Sequence, residues 1–270
     1  MKINVMYFSP TGTTKKVTDS LSKRICKKLN EETQVKYIDF TPPIIREKSI
    51  AFGKKELLII GVPVYAGRVP NILLKYLNTL TGSDTIAIPL VVYGNRNYDD
   101  ALLELKNILE ANGFIPIAAA AFIGEHSFSD SLAKNRPDEK DLKIVEQFAD
   151  QILERLYNLP NAKKISVSGQ QPLRPYYKPT DINGNFFDFR KITPKTSSNC
   201  IDCKACVDLC PMGSINREDV STLNGICIKC CACIKSCPTQ AKYFDDSNYI
   251  KHKNELETNF SKRKEPELFF

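Results

Sequence analysis

The chain has 270 residues, enough for one to three domains, and its 42% apolar and 26% charged residues are close to the globular average, which excludes global disorder. No stretch approaches the 18 consecutive apolar residues of a membrane helix, and the N-terminus lacks the apolar core and cleavage site of a secretory signal. We therefore expect no membrane span and a cytoplasmic location.

Five short apolar runs in the first 159 residues predict β-strands. They cover residues 3–8, 35–40, 57–62, 86–93 and 114–123. Several are apolar at consecutive positions, which is typical of parallel strands that helices cover on both faces. Because helical patterns alternate with these runs, we expect an α/β fold with a doubly wound, five-stranded parallel sheet. Pro89 and Pro116 are interpreted as strand beginnings, since a proline inside a central strand loses a ladder hydrogen bond.

Apolar stripes predict three amphipathic helices between and after these strands. The first stripe repeats every four residues from Val17 to Leu29, the second covers residues 101–109, and the third covers residues 142–156. The third is bounded by Pro137 and Pro160, which is typical of a helix start and end. Cys26 falls on the first stripe and is therefore expected in the core.

Three of the predicted strands are followed by loops that could bind a ligand. In an open α/β sheet, the loops at the carboxyl ends of the strands converge on one crevice. The first loop leads directly into a helix, whose N-terminal N–H groups can bind a phosphate without a lysine, although the loop could also be a simple N-cap. The candidate binding residues are Ser9, Thr11, Gly12, Thr13 and Thr14 in the first loop, Val64, Tyr65, Ala66, Gly67 and Arg68 in the second, and Tyr93, Gly94, Asn95, Arg96, Tyr98 and Asp99 in the third.

Together the three loops resemble those of the flavodoxin family, which binds FMN in this crevice. The resemblance implies the strand order 2-1-3-4-5. Tyr98 is the best candidate to stack on the flavin ring and Tyr65 a second contact, unless both are ordinary core or surface aromatics. The formal charges of Arg68, Arg96 and Asp99 add up to +1, so we expect a flavin here to be reduced more easily than in acidic surroundings.

No catalytic residue is predicted from the sequence. His126 follows the fifth strand and is one of only two histidines in the chain, but nothing near it in the sequence completes a catalytic pair. We therefore interpret His126 as a surface loop residue.

Residues 160–194 have the composition of a basic, proline-rich linker. Residues 160–199 hold seven lysines or arginines and two aspartates, which accounts for most of the net charge of +7. Because the charge is not concentrated in a basic block, we expect no nucleic-acid partner. The aromatic residues of this segment, which include Tyr176, Tyr177 and Phe189, predict that parts of it pack on a neighbouring domain.

Nine of the ten cysteines lie between residues 200 and 237, and eight of these form two copies of one motif. Each copy reads C-x2-C-x2-C-x3-C-P, and every member recurs 27 residues later. Three closely spaced thiolates can bind three corners of an iron–sulfur cube, and the fourth must come from elsewhere. A zinc ribbon or a disulfide framework is the alternative, but neither needs the third cysteine and the x3-C-P ending twice. Cys231 is outside the pattern and is expected to be a packing residue.

The repeat resembles the bacterial ferredoxins that carry two 4Fe-4S clusters, in which the fourth cysteine of each motif binds the other cluster. The resemblance implies a small α+β domain over residues 195–245 and a C-terminal tail over residues 246–270. The implied ligand sets are Cys200, Cys203, Cys206 and Cys237 for one cluster, and Cys227, Cys230, Cys233 and Cys210 for the other. The tail ends in Leu268-Phe269-Phe270, which we expect to dock on the first domain, because three exposed apolar side chains are costly to solvate.

These two resemblances cover nearly the whole chain and imply a fusion of the kind found in anaerobic bacteria and archaea. We expect an electron-transfer protein that carries FMN and two 4Fe-4S clusters and exchanges electrons with redox partner proteins. A flavin-dependent reductase of a small substrate and a redox or oxygen sensor are the alternatives. Whether the chain is an enzyme, and which proteins are its donor and acceptor, is left open by the sequence.

Overall fold

The computed structural model of the protein describes residues 1–29, 34–158 and 164–270. The expected boundary between the first domain and the linker, at residues 159 and 160, lies outside these ranges. Within them, no helix combines the length and the apolar character that crossing a membrane requires.

The helices and strands follow one another in an alternating order. The strands are β1 (Lys2–Tyr7), β2 (Gln34–Asp39), β3 (Ala51–Phe52), β4 (Glu56–Pro63), β5 (Thr81–Gly82), β6 (Thr85–Tyr93), β7 (Phe114–Pro116), β8 (Ala119–Ile123), β9 (Lys195–Thr196), β10 (Lys242–Tyr243) and β11 (Glu267–Phe269). The helices are α1 (Thr13–Lys28), α2 (Asn71–Leu77), α3 (Ala101–Ala111), α4 (Glu139–Tyr157), α5 (Ala205–Asp208), α6 (Ala232–Lys235) and α7 (Ser247–Asn259). Short 3-10 helices cover Pro43–Glu47 and Phe189–Lys191.

The main sheet is parallel except at one edge. Its strands are ordered β2-β1-β4-β6-β8-β11, with β7 beside the start of β6. All pairs from β2 to β8 are parallel, and only β11 runs antiparallel, on β8. When the long strands alone are counted, the order is second, first, third, fourth, fifth, which is that of flavodoxin-like doubly wound folds. The expected α/β class with a mostly parallel sheet is confirmed, whereas the antiparallel sixth strand was not expected.

Helices cover both faces of the sheet, and this explains the consecutive apolar residues of its strands. On one face α1 and α4 pack together over Ile3, Val5 and Ile59. On the other face α2 and α3 cover Met6 and Leu58. The three expected helices are present, and Cys26 of α1 is half-buried at the edge of the first of these cores.

Contrary to the expectation, neither proline begins a strand: Pro89 lies in the middle of β6, and Pro116 is the last residue of β7. On one edge of β6, the carbonyl of Ala87 accepts a hydrogen bond from the N–H of Ile117, and the carbonyl of Tyr93 accepts one from the N–H of Gly124. Pro89 faces that same edge, because alternate residues of a strand point their backbone groups to the same neighbour. Its missing N–H falls where the neighbouring strand is interrupted between β7 and β8, so no ladder hydrogen bond is lost there.

The C-terminal tail docks on the first domain, as expected. β11 adds to the sheet edge through the register of Glu267 with Ala121 and of Phe269 with Ala119. Leu268 packs against the core on one face of the sheet and Phe269 against the core on the other. The ring of Phe270 is 5.5 Å from that of Phe148 in α4. The tail therefore closes an edge of the sheet that would otherwise expose unpaired backbone groups.

The linker also packs on the first domain, as its aromatic residues predicted. Tyr176 donates a hydrogen bond from its hydroxyl to the carbonyl of Val69 at 2.8 Å, and the N–H of Tyr177 donates to the carbonyl of Ala66 at 2.9 Å. Arg174 forms an ion pair with the buried Asp100 at 2.6 Å. These contacts hold residues 174–177 against the loops at the carboxyl ends of β4 and β6.

The cysteine-rich segment repeats its backbone as well as its sequence. Its two short helices, α5 and α6, begin 27 residues apart, and the antiparallel pair of β9 and β10 closes the segment. Left-handed backbone recurs at the same spacing, in Asp202 and Lys229, Lys204 and Cys231, and Gly213 and Gln240. Cys231 is buried, as expected of a packing residue. Lys204 and Cys231 adopt φ of 60° at the helix starts, a conformation that glycine adopts at lower cost.

Candidate functional site

The first loop presents free backbone donors at the start of a long helix. Gly12 adopts a φ of 84° and lets the chain turn from β1 into α1, and Ser9 Oγ accepts a hydrogen bond from the N–H of Lys15 at 3.0 Å. Within the described residues, the N–H groups of Thr11, Thr13 and Thr14 have no hydrogen-bond acceptor. Three N–H groups and the helix dipole therefore form a site that suits a phosphate.

The second loop is a tight turn from Tyr65 to Arg68. The N–H of each of these two residues donates to the carbonyl of the other, at 3.0 and 3.1 Å. Ala66 and Gly67 both have positive φ, and a Cβ added to Gly67 would lie 2.2 Å from the carboxylate of Asp99 in the third loop. Only glycine at position 67 therefore allows the second and third loops to pack this closely.

The three loops line one cavity of about 860 Å³. Eleven of the sixteen candidate binding residues face it: Ser9, Thr11, Thr13, Thr14, Val64, Tyr65, Ala66, Gly67, Tyr93, Gly94 and Arg96. Five do not: Gly12, Arg68, Asn95, Tyr98 and Asp99. The carboxyl ends of β1, β4 and β6 thus bring the loops together, whereas the five exceptions have partners elsewhere.

Tyr98 is not placed to stack on a ligand in this cavity, which corrects the expectation from the sequence. It is 96% buried, its ring packs 5.4 Å from that of Tyr93, and its hydroxyl donates to Glu267 at 2.6 Å. Asn95 is also turned away and donates to the carbonyls of Phe260 and Lys262 at 2.6 and 2.9 Å. Both side chains are held by hydrogen bonds to the C-terminal tail, and the sequence of the loop does not reveal these distant partners.

The positive charge expected around the cavity is compensated by ion pairs. Arg96 pairs with Asp99, and Arg68 pairs with Glu104 at 2.6 Å while lying 5.0 Å above the ring of Tyr176. The formal charge of +1 was summed over the three loops only, so it did not include the negative charge of Glu104, which belongs to α3. The structure therefore removes the reason to expect that a flavin would be reduced more easily here.

Segments outside the three loops complete the cavity. They are mainly the segment after β8, the linker, the second cysteine motif and α7. Outside the three loops, the lining residues that sequence reasoning missed are Asn71, Ile72, Val92, Gly124, Glu125, His126, Ser127, Phe128, Tyr176, Tyr177, Lys178, Pro179, Phe186, Phe187, Asp188, Phe189, Arg190, Ile226, Ile228, Lys229, His252 and Leu256. The aromatic residues of the linker were a signal that it packs, but not a signal of where.

His126 lines the cavity and is not a surface residue, contrary to the expectation from the sequence. Its ring packs so closely on Gly94 that a Cβ there would lie 2.3 Å from its Cδ2. Its Nδ1 accepts a hydrogen bond from the N–H of Phe128 at 3.1 Å, which leaves the proton of a neutral ring on Nε2. Burial, together with the nearby His252 and Lys235, lowers the pKa of His126 to about 4.

This pKa predicts that acidification destabilises the protein through His126. In the unfolded chain His126 becomes protonated with the ordinary histidine pKa of 6.5, whereas in the folded chain it becomes protonated only with a pKa of about 4. The free energy of unfolding should therefore decrease on the order of 2 kcal/mol from pH 7 to pH 5 through this group. Urea unfolding at pH 7, 6 and 5 measures the decrease.

His126→Asn is the matched control, because its Oδ1 can replace Nδ1 as the acceptor for Phe128 while the variant cannot titrate. The variant should lose clearly less stability over the same pH range than the natural chain. Equal losses in the two proteins would contradict the assignment of the pH dependence to His126.

The eight motif cysteines line two small cavities. Cys200, Cys203, Cys206 and Cys237 line one, and Cys210, Cys227, Cys230 and Cys233 line the other. Of the motif cysteines, each cavity thus takes three from one motif and the last of the other, and Cys231, which is outside the motif, also lines the second cavity. All ten cysteines are in the described ranges and none forms a disulfide.

The thiols of these cavities suit a positively charged group. Burial raises the pKa of Cys230 and raises that of Cys233 to about 12, so these thiolates need a metal centre to form. At the end of the first motif, Cys210 Sγ accepts a hydrogen bond from the N–H of Ser214 at 3.4 Å. At the end of the second motif, Cys237 Sγ accepts one from the N–H of Ala241 at 3.2 Å. Although burial alone would raise the pKa of Cys237, backbone N–H donors bring it below the ordinary cysteine value.

No single-ion site is preformed among these residues. In the described part of the chain, no three or more histidine, cysteine, aspartate or glutamate side chains are arranged to hold one metal ion. One zinc ion would need four ligands converging at 2.0 to 2.3 Å. A cluster with four irons does not, because each cysteine binds a different corner of a larger body.

The second cysteine cavity adjoins the large cavity. Cys227 and Cys230 line both, and Tyr65 of the second loop faces the same region. Burial, followed by the neighbouring thiols of Cys230, Cys231 and Cys227, raises the pKa of Tyr65. The four cysteines of the first cysteine cavity do not line the large cavity.

Polar contacts hold the cysteine-rich segment against the sheet. Lys235 of α6 forms ion pairs with Glu125 at 2.9 Å and with Asp130 at 2.6 Å, and it donates to the carbonyl of Ser129 at 2.6 Å. On the other side, Arg46 donates to the carbonyl of Pro211. The second cysteine cavity is therefore fixed in place beside the three loops.

Comparisons with known proteins find similarity to solved flavodoxin structures over little more than half of the chain. No family model and no curated protein matches it. A flavodoxin from the Archaea is 16% identical over 58% of this chain and 99% of its own, with a TM-score of 0.41. Oxidised flavodoxin 2 from Bacillus cereus is 16% identical over 57% and 99%, with a TM-score of 0.41. An apo NADH:FMN oxidoreductase is 17% identical over 56% and 89%, with a TM-score of 0.40.

Proposed function

We propose that this protein transfers electrons and that it holds one FMN and two 4Fe-4S clusters. One observation carries the proposal: a single cavity is lined both by three loops suited to a phosphate and a flat ring and by two cysteines of an eight-cysteine repeat. A flavin in that cavity would lie next to a cluster bound by those cysteines. The protein would then connect one-electron and two-electron chemistry within one chain.

The residues of the large cavity fit FMN at both of its ends. The unpaired N–H groups of Thr11, Thr13 and Thr14 would hold the phosphate at the start of α1. The turn at Ala66 and Gly67 and the loop at Gly94 would hold the ring, because both bring backbone close to the cavity without large side chains. Bound FMN supplies a group that accepts one or two electrons.

The cysteine cavities fit two clusters with exchanged fourth ligands. The first would be held by Cys200, Cys203, Cys206 and Cys237, and the second by Cys210, Cys227, Cys230 and Cys233. Such clusters carry one electron at a time. Only the second set adjoins the large cavity, so the order of the redox groups would be flavin, second cluster, first cluster.

The chain's own residues hold this arrangement together. Tyr65 of the second loop lies near the thiols of the second motif, and the linker residues Tyr176 and Tyr177 are hydrogen-bonded to Val69 and Ala66. Lys235 fixes α6 to the segment after β8. Cys203 is the exposed member of the first set, so an external redox partner protein would exchange electrons there.

This proposal predicts the cofactor content of the purified chain. Anaerobically purified protein should contain about eight irons, a similar amount of acid-labile sulfide and one FMN per chain, because each four-cysteine set serves one four-iron cluster. Iron and sulfide analysis and the absorbance of the released flavin measure these values. Tightly bound zinc without sulfide would refute the cluster assignment, and a chain without flavin would refute the FMN assignment.

A further inference from the structure

Part of the large cavity is walled by rings that belong to none of the three loops. We call it the aromatic end and define it by Phe128, Tyr177, Phe187, Phe189 and His252, all of which line the cavity. The ring of Tyr177 is stacked on that of His252 at 5.8 Å, and the ring of Phe128 is 6.1 Å from that of Phe189. Such walls favour a flat, conjugated ligand.

The ring of His126 presents a hydrogen-bond donor to this part of the cavity. His126 is neutral at neutral pH, and because its Nδ1 accepts from Phe128, its Nε2 carries a proton. Within the described residues neither that Nε2 nor the buried Nδ1 of His252 has a hydrogen-bond partner, and the ring of His126 lies 5.2 Å from the ring of Phe128. A neutral imidazole N–H in an aromatic surrounding is a suitable donor to a carbonyl oxygen.

The charged residues of the lining are mostly neutralised by local partners. Arg96 is paired with Asp99, Glu125 with Lys235, and Asp188 with Arg190. Lys229 donates to the carbonyls of Arg190 and Cys227 at 2.8 and 3.1 Å. Lys178 is exposed at the rim. This distribution leaves an interior that favours an uncharged ligand over an ion.

The expected aromatic cover of a flavin ring is also missing from this cavity. Tyr98 lies beneath the third loop, and Gly94 with the adjoining His126 occupies the position where a covering side chain could stand. Arg96 is the third-loop side chain that reaches the aromatic end, where its guanidinium lies 5.1 Å from the centre of the Tyr177 ring.

We propose that the aromatic end binds a second small molecule, a flat, uncharged, conjugated carbonyl compound, whose oxygen accepts a hydrogen bond from His126 Nε2. The inference rests on the proposed function, because FMN would occupy the part of the cavity formed by the three loops. It assigns to the same cavity a substrate-binding role that an electron carrier alone does not need.

The test uses coumarin as the probe, because coumarin is flat, uncharged and carries a conjugated carbonyl group. Isothermal titration calorimetry of the anaerobically purified full chain with its cofactors measures the affinity. 2H-chromene, which has the same two rings without the carbonyl, should bind about tenfold more weakly, since it leaves the His126 donor unpaired. Equal affinities for the two compounds, or no binding of coumarin up to millimolar concentration, would overturn the inference.

Two variants of His126 separate its donor from its structural contact. His126→Asn keeps an acceptor for the N–H of Phe128 but loses the Nε2 donor, so coumarin affinity should fall about tenfold. His126→Gln keeps a donor at nearly the same reach and should retain most of the affinity. The FMN content of each variant is measured in parallel. If His126→Asn loses FMN and not coumarin affinity, His126 serves the flavin and the inference is wrong.

Tyr177→Leu provides an independent variant, because Tyr177 is exposed and its backbone contact to Ala66 does not need the side chain. Removing the stacking surface should weaken coumarin binding several-fold without loss of iron. An unchanged affinity would exclude the aromatic end as the binding site. Absence of FMN from the natural chain would instead refute the proposed function, and this outcome is distinguishable because flavin and coumarin are measured separately.

Discussion

Replacing Cys210 by alanine is expected to remove the second cluster, although Cys210 belongs to the first cysteine motif. The iron content should fall from about eight to about four per chain, because a four-iron cluster that loses one of its four thiolates is not retained. The reason is structural: Cys210 lines the same cavity as Cys227, Cys230 and Cys233. Iron analysis and electron paramagnetic resonance of the reduced protein measure the loss.

Matched variants show which cluster remains. The first cluster and its signal should remain in Cys210→Ala and in Cys233→Ala. The second cluster and its signal should remain in Cys206→Ala and in Cys237→Ala. Cys231→Ala should retain about eight irons, because Cys231, although it lines the second cavity, has its Sγ 3.6 Å from the hydroxyl of Tyr249 and is outside the repeated motif. A Cys210→Ala spectrum that matches Cys206→Ala would show that each motif binds its own cluster and would contradict the exchange.

Loss of the second cluster should also isolate the flavin. The second cysteine cavity adjoins the large cavity and the first does not, so Cys233→Ala should slow flavin reduction by an external one-electron donor more than Cys206→Ala. Flash reduction followed by the flavin absorbance measures both rates. Equal rates in the two variants would contradict the proposed order of the redox groups.

Deleting residues 261–270 is expected to lower the free energy of unfolding by roughly 2 to 4 kcal/mol. Leu268 and Phe269 pack on the two cores but are only partly buried, so each contributes about 1 to 2 kcal/mol, less than a fully buried side chain of this kind. The deletion also leaves the edge of β8 unpaired and removes the acceptor of the buried Tyr98 hydroxyl. Urea unfolding followed by circular dichroism measures the change.

The same deletion should weaken flavin retention, because the tail positions the third loop. Lys264 donates from its side chain to the carbonyl of Arg96 at 2.6 Å, and Asn95 is bonded to the carbonyls of Phe260 and Lys262. Arg263→Gln is the control, since its ion pairs with Asp138 and Asp141 are partly exposed and contribute about 1 kcal/mol or less. A deletion that costs no more than Arg263→Gln would show that β11 adds little to the fold.

The sequence alone determined the features that depend on near neighbours. Apolar runs predicted the five regions of the parallel sheet, and four-residue spacing predicted α1, because each pattern reports which residues of one element face the core. The two cysteine motifs recur at a spacing of 27, and the backbone repeats with them at Lys204 and Cys231. Most of the loop residues chosen from the sequence line the large cavity, since loops at the carboxyl ends of adjacent parallel strands must meet.

The tertiary structure alone decided the features whose partners are far away along the chain. Tyr98 turns into the core because Glu267, 169 residues later, accepts a hydrogen bond from its hydroxyl. The charge of Arg68 is compensated by Glu104 of a different element, and His126 lines a cavity because the linker and α7 cover the segment after β8. A local pattern shows which side chain is apolar or charged, but the burial and pairing of a side chain depend on the segments that pack over it.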